Sequence, residues 1–155
     1  MSISETIALL GLIFGMIGTT LGVFNYLRDR GRIVVLLQWD MAMTGEDATK
    51  RFACITVTNV GRRAVYISHA ALRLPKGEDI SHFLIRDGLK GQKLSEGDPP
   101  AIFSVDQSGL AAYAGKWREI VAQVSDSTGK EWVSKKASTI PSWAKSPPNP
   151  AVHTN

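Results

Sequence analysis

Residues 119–134 read EIVAQVSDSTGKEWVS. Ile120, Ala122 and Val124 recur at period two, the spacing of a strand with one buried face. The loop DSTGK then places Gly129 where a positive φ closes a turn, and Trp132 and Val133 open a second apolar run. This is the signature of a β-hairpin.

Working outward from it, the preceding hundred residues break into similar pieces. RIVVLLQW (32–39) is long enough for a first strand. KRFACITVTN (50–59) alternates, with Ala53, Ile55 and Val57 on one side and Thr56 and Thr58 on the other. NVGRR turns the chain into AVYISHAALRL (64–74), which Pro75, Lys76 and Gly77 end. Weaker strands are expected at 83–85 and 92–94, and AIFSV (101–105) supplies another. DQSGLAAYAGK (106–116) is the one helical candidate, begun at Asp106 or Ser108 and stopped at Gly115. About seven short strands with turns every 8 to 12 residues predict an all-β sandwich over residues 34–136. The loop over 75–100, bounded by Pro75 and Pro100, is expected to join the sheets or lie on an edge. The last segment, 137–155, is rich in proline and lacks periodicity, so a disordered tail is expected, with Trp143 pinning its start.

The N-terminal end follows another rule. No charged residue occurs between Glu5 and Arg28, and residues 6–27 read TIALLGLIFGMIGTTLGVFNYL. At about 1.5 Å per residue this makes a helix of roughly 33 Å, enough to cross a hydrocarbon core of about 30 Å. The preceding segment, 1–5, has no Lys or Arg and no small-x-small cleavage site follows, so a retained transmembrane helix is expected over a cleaved signal peptide. Arg28, Arg30 and Arg32 occupy the joint at 28–33. By the positive-inside bias they place the following domain in the cytoplasm and the N-terminus outside, across an inner (cytoplasmic) membrane.

Within this helix the glycines keep one face. Advancing about 100° per residue, Gly11, Gly15, Gly18 and Gly22 fall within a narrow arc that Ser4, Ala8 and Asn25 extend at both ends. Bulky Leu, Ile, Phe and Met cover the rest. In lipid, close backbone approach and polar contacts drive helix pairing, so this small-residue seam is expected to pack against a second copy or a partner transmembrane helix. The 3.5-residue spacing implies a left-handed crossing.

The order of membrane helix, Arg-rich joint, VTNVGRRAVYI (57–67), LAAYAG (110–115) and VSDSTGKEW (124–132) resembles uncharacterised bacterial single-pass membrane-anchored proteins with an immunoglobulin-like β-sandwich. The resemblance implies a fold and an anchor. It brings no catalytic residue with it.

Chemistry is sparse. All 18 Lys and Arg and 13 of the 14 acids follow Leu27, a net of +5 for that part. The charge is scattered along the chain, so no nucleic-acid partner is expected. DSTGK fails as a phosphate-binding loop because positions 124 and 131 hold Val124 and Glu131. His69, His82 and His153 form no metal-ligand spacing with one another or with Cys54, and no cofactor is expected. Cys54, in a strand, is expected to be a buried structural thiol. The expectation is a non-enzymatic binding or assembly module, anchored in the membrane, that takes a protein ligand at a sheet edge or at the 75–100 loop. A membrane-active effector with clustered helices is the alternative. The apolar stretch from Ile7 to Val23 weighs against it, because a water-filled pore needs a polar lining.

Overall fold

The computed structural model describes residues 2–44 and 49–145, without the side chain of Arg28. Residues 146–155 of the expected disordered tail, His153 among them, lie outside the described residues. The N-terminal helix α1 (Ile3–Arg28) starts earlier than its apolar run, so the expected separate segment at 1–5 is largely helical. A capping box explains this: the Ser2 hydroxyl accepts from the Glu5 N–H while the Glu5 carboxylate accepts from the Ser2 N–H. The Ser2–x–x–Glu5 spacing was readable in the sequence. Asp29 caps the other end, its N–H donating to the Asn25 carbonyl.

Among the described residues eight strands follow: β1 (Ile33–Met41), β2 (Phe52–Asn59), β3 (Val65–Arg73), β4 (His82–Leu84), β5 (Gln92–Leu94), β6 (Ala101–Asp106), β7 (Val121–Asp126) and β8 (Glu131–Val133). They form two antiparallel sheets. One has the order β1-β2-β6; the other has β4-β3-β7-β8, with β5 pairing the opposite end of β3 from β4. The chain therefore lays down β1 and β2, crosses to β3, returns with β6 beside β2, and crosses again for the β7–β8 hairpin.

The alternation in β2 sets its inner face: Ala53, Ile55 and Val57 are fully buried. Ile55 and Val57 share one apolar cluster with Ile67, Leu72, Leu94, Ile120, Ala122 and Val124, so the two sheets enclose a common core. In β7 the neighbours Val121, Gln123 and Ser125 are buried as well, which a one-sided strand pattern does not anticipate. Cys54 is a correction. It is out of phase with its buried neighbours, so it is half-buried on the outer face, opposite Gln38 and Ser104.

The helical candidate is also corrected. It is a 3₁₀ run, Ser108–Glu119, that continues past Gly115 and kinks at Lys116. Gly115 does not take the positive φ of a helix stop. The run ends where Ile120 turns extended and its N–H donates to the Trp117 carbonyl, with Trp117 itself buried. Within the 75–100 segment the two weaker strands expected at 83–85 and 92–94 are present as β4 and β5, and with a 3₁₀ turn (Asp87–Lys90) between them they line the edge of β3. Trp143, on the short helix α2 (Ser142–Lys145), packs edge-on against Trp39, with ring centroids 5.6 Å apart. A bulge in β1 puts Asp40 at φ 60°, where its carboxylate accepts from both the N–H and the hydroxyl of Ser142.

Candidate functional site

The helix and the domain meet over residues 29–32, and that joint is tightly built. Val60 N–H donates to the Arg32 carbonyl at 2.8 Å. A Cβ on Gly61 would press on the Arg30 carbonyl oxygen and lie 2.5 Å from the Arg32 nitrogen, so only glycine lets the β2–β3 turn come this close. Across the joint, a Cβ on Gly31 would lie 2.7 Å from a methyl of Val65. Asn59 holds the turn from beneath. It is buried, its amide donates to the carbonyls of Arg63 and Leu94 at 2.9 Å each, and its oxygen accepts from the Gly61 N–H at 2.9 Å.

This packing forms a cleft of about 820 Å³ between the end of α1 and the near end of the domain. Tyr26, Asp29 and Arg30 line it from the helix side, Arg62 and Arg63 from the β2–β3 turn, and Lys130 from the β7–β8 hairpin. The Arg30 guanidinium sits 5.1 Å from the centre of the Tyr26 ring, a cation–π contact. Arg62 has Glu96 at 3.9 Å, a loose exposed pair. The hairpin is fixed by Asp126, whose carboxylate accepts from the Thr128 N–H and hydroxyl and from the Lys130 N–H. Burial raises the Asp126 pKa, but the hydrogen bonds from Thr128 and Lys130 outweigh it and hold the carboxyl below its ordinary 3.8.

Among the residues singled out in sequence, Gly11, Gly15, Gly18 and Gly22 lie on one face of α1, and a Cβ built on any of them meets nothing within 4 Å. Ala8 is exposed on the same face, and Ser4 is drawn into the N-terminal cap through its hydroxyl contact with Ser2 at 2.9 Å. Asn25, at the inner end of the seam, lines the cleft together with Tyr26 and Asp29. At about 100° per residue these three straddle the direction of the glycines, so seam and cleft open on the same side of the helix. Arg30 joins the cleft, Arg32 lies under the Gly61 turn, and the Arg28 side chain is outside the described residues.

The basic cleft was not legible as a site, because its cations come from three distant points of the chain. His69 is half-buried beside the Ser68 hydroxyl, and His82 contacts the Gln123 side chain at 3.3 Å. Among the described residues no three His, Cys, Asp or Glu side chains gather as a metal site. No known protein family and no curated protein matches the chain. The geometry of this molecule therefore carries the functional argument by itself.

Proposed function

We propose that the protein is a single-pass membrane-anchored binding and assembly module. It presents an immunoglobulin-like sandwich at the cytoplasmic face of the inner membrane and associates through the glycine seam of α1. The observation that carries this reading is the joint. An apolar helix, exposed along its whole length and long enough to cross a membrane, is locked to a folded domain through only residues 29–32. A cleaved leader carries a basic n-region and a small-x-small cleavage site, and residues 1–32 show neither, which favours retention. The packing of the joint under Gly61 and its bond to Val60 then hold the retained helix to the domain.

The strand order supports the sandwich assignment. β1, β2 and β6 on one sheet and β3, β7 and β8 on the other are the groupings that an A-B-E and C-F-G arrangement of an immunoglobulin-like domain would need. A protein ligand adding a strand would find β6 the more open edge, since residues 135–140 face β1 across a cleft of about 470 Å³. The run of small residues along one face of α1 supports helix pairing, with a second copy as the simplest partner.

Two experiments test this reading. Replacing Gly15 and Gly18 by Ile should abolish self-association of the helix in a membrane two-hybrid assay, and an unchanged signal would remove the seam. A reporter enzyme active only in the periplasm, fused after Asn155, should stay silent. Strong activity there would reverse the orientation.

A further inference from the structure

Four cations, Arg30, Arg62, Arg63 and Lys130, converge on the joint cleft, and the acids beside them do not balance that charge. Asp29 is the one carboxylate among the lining residues, Glu96 reaches only Arg62, and the Asp126 carboxylate is occupied by its own hairpin. We propose that this cleft binds the phosphate of an anionic phospholipid headgroup from the leaflet next to the domain. The proposal rests on α1 being a membrane anchor, but not on seam pairing.

Depth is the first argument. The apolar run ends at Leu27 and Arg30 lies within one further turn, about 5 Å along the axis. The headgroup layer extends about 5–7 Å beyond the hydrocarbon on each side, so the cleft sits at the level of the phosphates. Tyr26, with the Arg30 guanidinium 5.1 Å from the centre of its ring, is the residue type that suits that interface.

Preorganisation is the second. The backbones that present Arg62, Arg63 and Lys130 are fixed by buried Asn59 and by Asp126, so the ligand does not have to order them. Arginine guanidinium forks match phosphate oxygens, and a cation near an anionic membrane surface contributes about 1 kcal/mol, which is roughly fivefold in affinity. Position also selects the source of the phosphate. A cleft opening beside a membrane helix meets lipid at a concentration that no soluble anion reaches there.

The test uses the full chain in neutral detergent, with bound lipid read by native mass spectrometry. Phosphatidylglycerol should be retained at least tenfold better than phosphatidylcholine, whose choline cancels the phosphate charge. The variant Arg63→Gln/Lys130→Gln should lose about 25-fold, and Arg63→Lys/Lys130→Arg should recover most of it. Equal retention of the two lipids, or an unchanged glutamine variant, would overturn the site. Displacement of phosphatidylglycerol by equimolar inorganic phosphate would overturn the lipid as the source. Both side chains are exposed, with the Lys130 ammonium 5.1 Å from the centre of the Trp132 ring, so the variants should keep the parent's far-ultraviolet circular dichroism. If the double variant misfolds, each single variant should show the fivefold loss, and its absence would sink the proposal. Carbonate washing of native membranes separates the underlying reading: release of the chain refutes the anchor, while retention without lipid selectivity refutes the cleft alone.

Discussion

Gly61→Ala tests the joint directly. The new Cβ would meet the Arg30 carbonyl oxygen and stand 2.5 Å from the Arg32 nitrogen and 3.2 Å from the Arg32 Cβ. Two of these three obstacles are backbone atoms, which cannot rotate away. The turn cannot retreat either, because Asn59 holds it by three hydrogen bonds and Val60 by a fourth. Overpacking of this kind costs about 1–3 kcal/mol, and with both sides pinned the upper end applies. For a domain of this size about 3 kcal/mol lowers the thermal midpoint by roughly 10 °C. The assay is thermal unfolding of the full chain in neutral detergent, followed by near-ultraviolet circular dichroism. Gly31→Ala provides the graded comparison, since it displaces only a side-chain methyl of Val65 and should cost less. Gly18→Ala, with nothing within 4 Å of its Cβ, should leave the midpoint in place. A Gly61→Ala midpoint within a degree or two of the parent would refute the reasoning: the joint would yield, and the helix would not be fixed to the domain.

Asn59→Ala removes all three bonds of that side chain and leaves two carbonyls to find other donors; a loss of about 3 kcal/mol is expected, read as a lower urea midpoint at unchanged slope. Trp143→Ala deletes an edge-on aromatic pair worth about 1 kcal/mol and should free the chain after β8, so trypsin should cut at Lys135 and Lys136 faster than in the parent. Asp126 has a folded pKa below 3.8, so its stabilisation of the hairpin is complete above that value and is lost as the pH falls through the folded pKa. The drop in urea midpoint between pH 5 and pH 3 should therefore be smaller in Asp126→Asn than in the parent, and equal drops would contradict the assignment.

What the sequence made visible depended on whether the interaction is local. The β7–β8 hairpin was legible because its turn and both strands are adjacent, and Gly129 does take a positive φ of 82°. The face of β2 was legible because alternation is a local property. Cys54 departs from its expected burial for the complementary reason: it lies in the expected strand, but out of phase with Ala53 and Ile55, which turns its thiol to the outer face. The 3₁₀ run escaped because Trp117, not Gly115, ends it, through burial that only the tertiary packing supplies. The joint was invisible for the same reason. NVGRR reads as an ordinary turn, and nothing in it announces that Gly61 must admit the backbone of Arg30 and Arg32.

The seam and the cleft also differ in this respect, and their relation constrains assembly. The seam is periodic along one helix, so it can be read from spacing; the cleft gathers residues separated by a hundred positions. Because Asn25, Tyr26 and Asp29 line the cleft on the glycine side, two copies meeting seam to seam would bring their basic clefts toward each other. Charges within a Debye length of about 8–10 Å repel, and beside hydrocarbon they are screened less than in open water. Pairing on the glycine face is therefore opposed at its inner end unless anions occupy the clefts. On the proposed anchor and cleft, anionic headgroups would supply those anions. The two proposals are thus coupled in sign: whatever neutralises Arg30, Arg62, Arg63 and Lys130 also removes the repulsion that opposes close approach of Gly18 and Gly22.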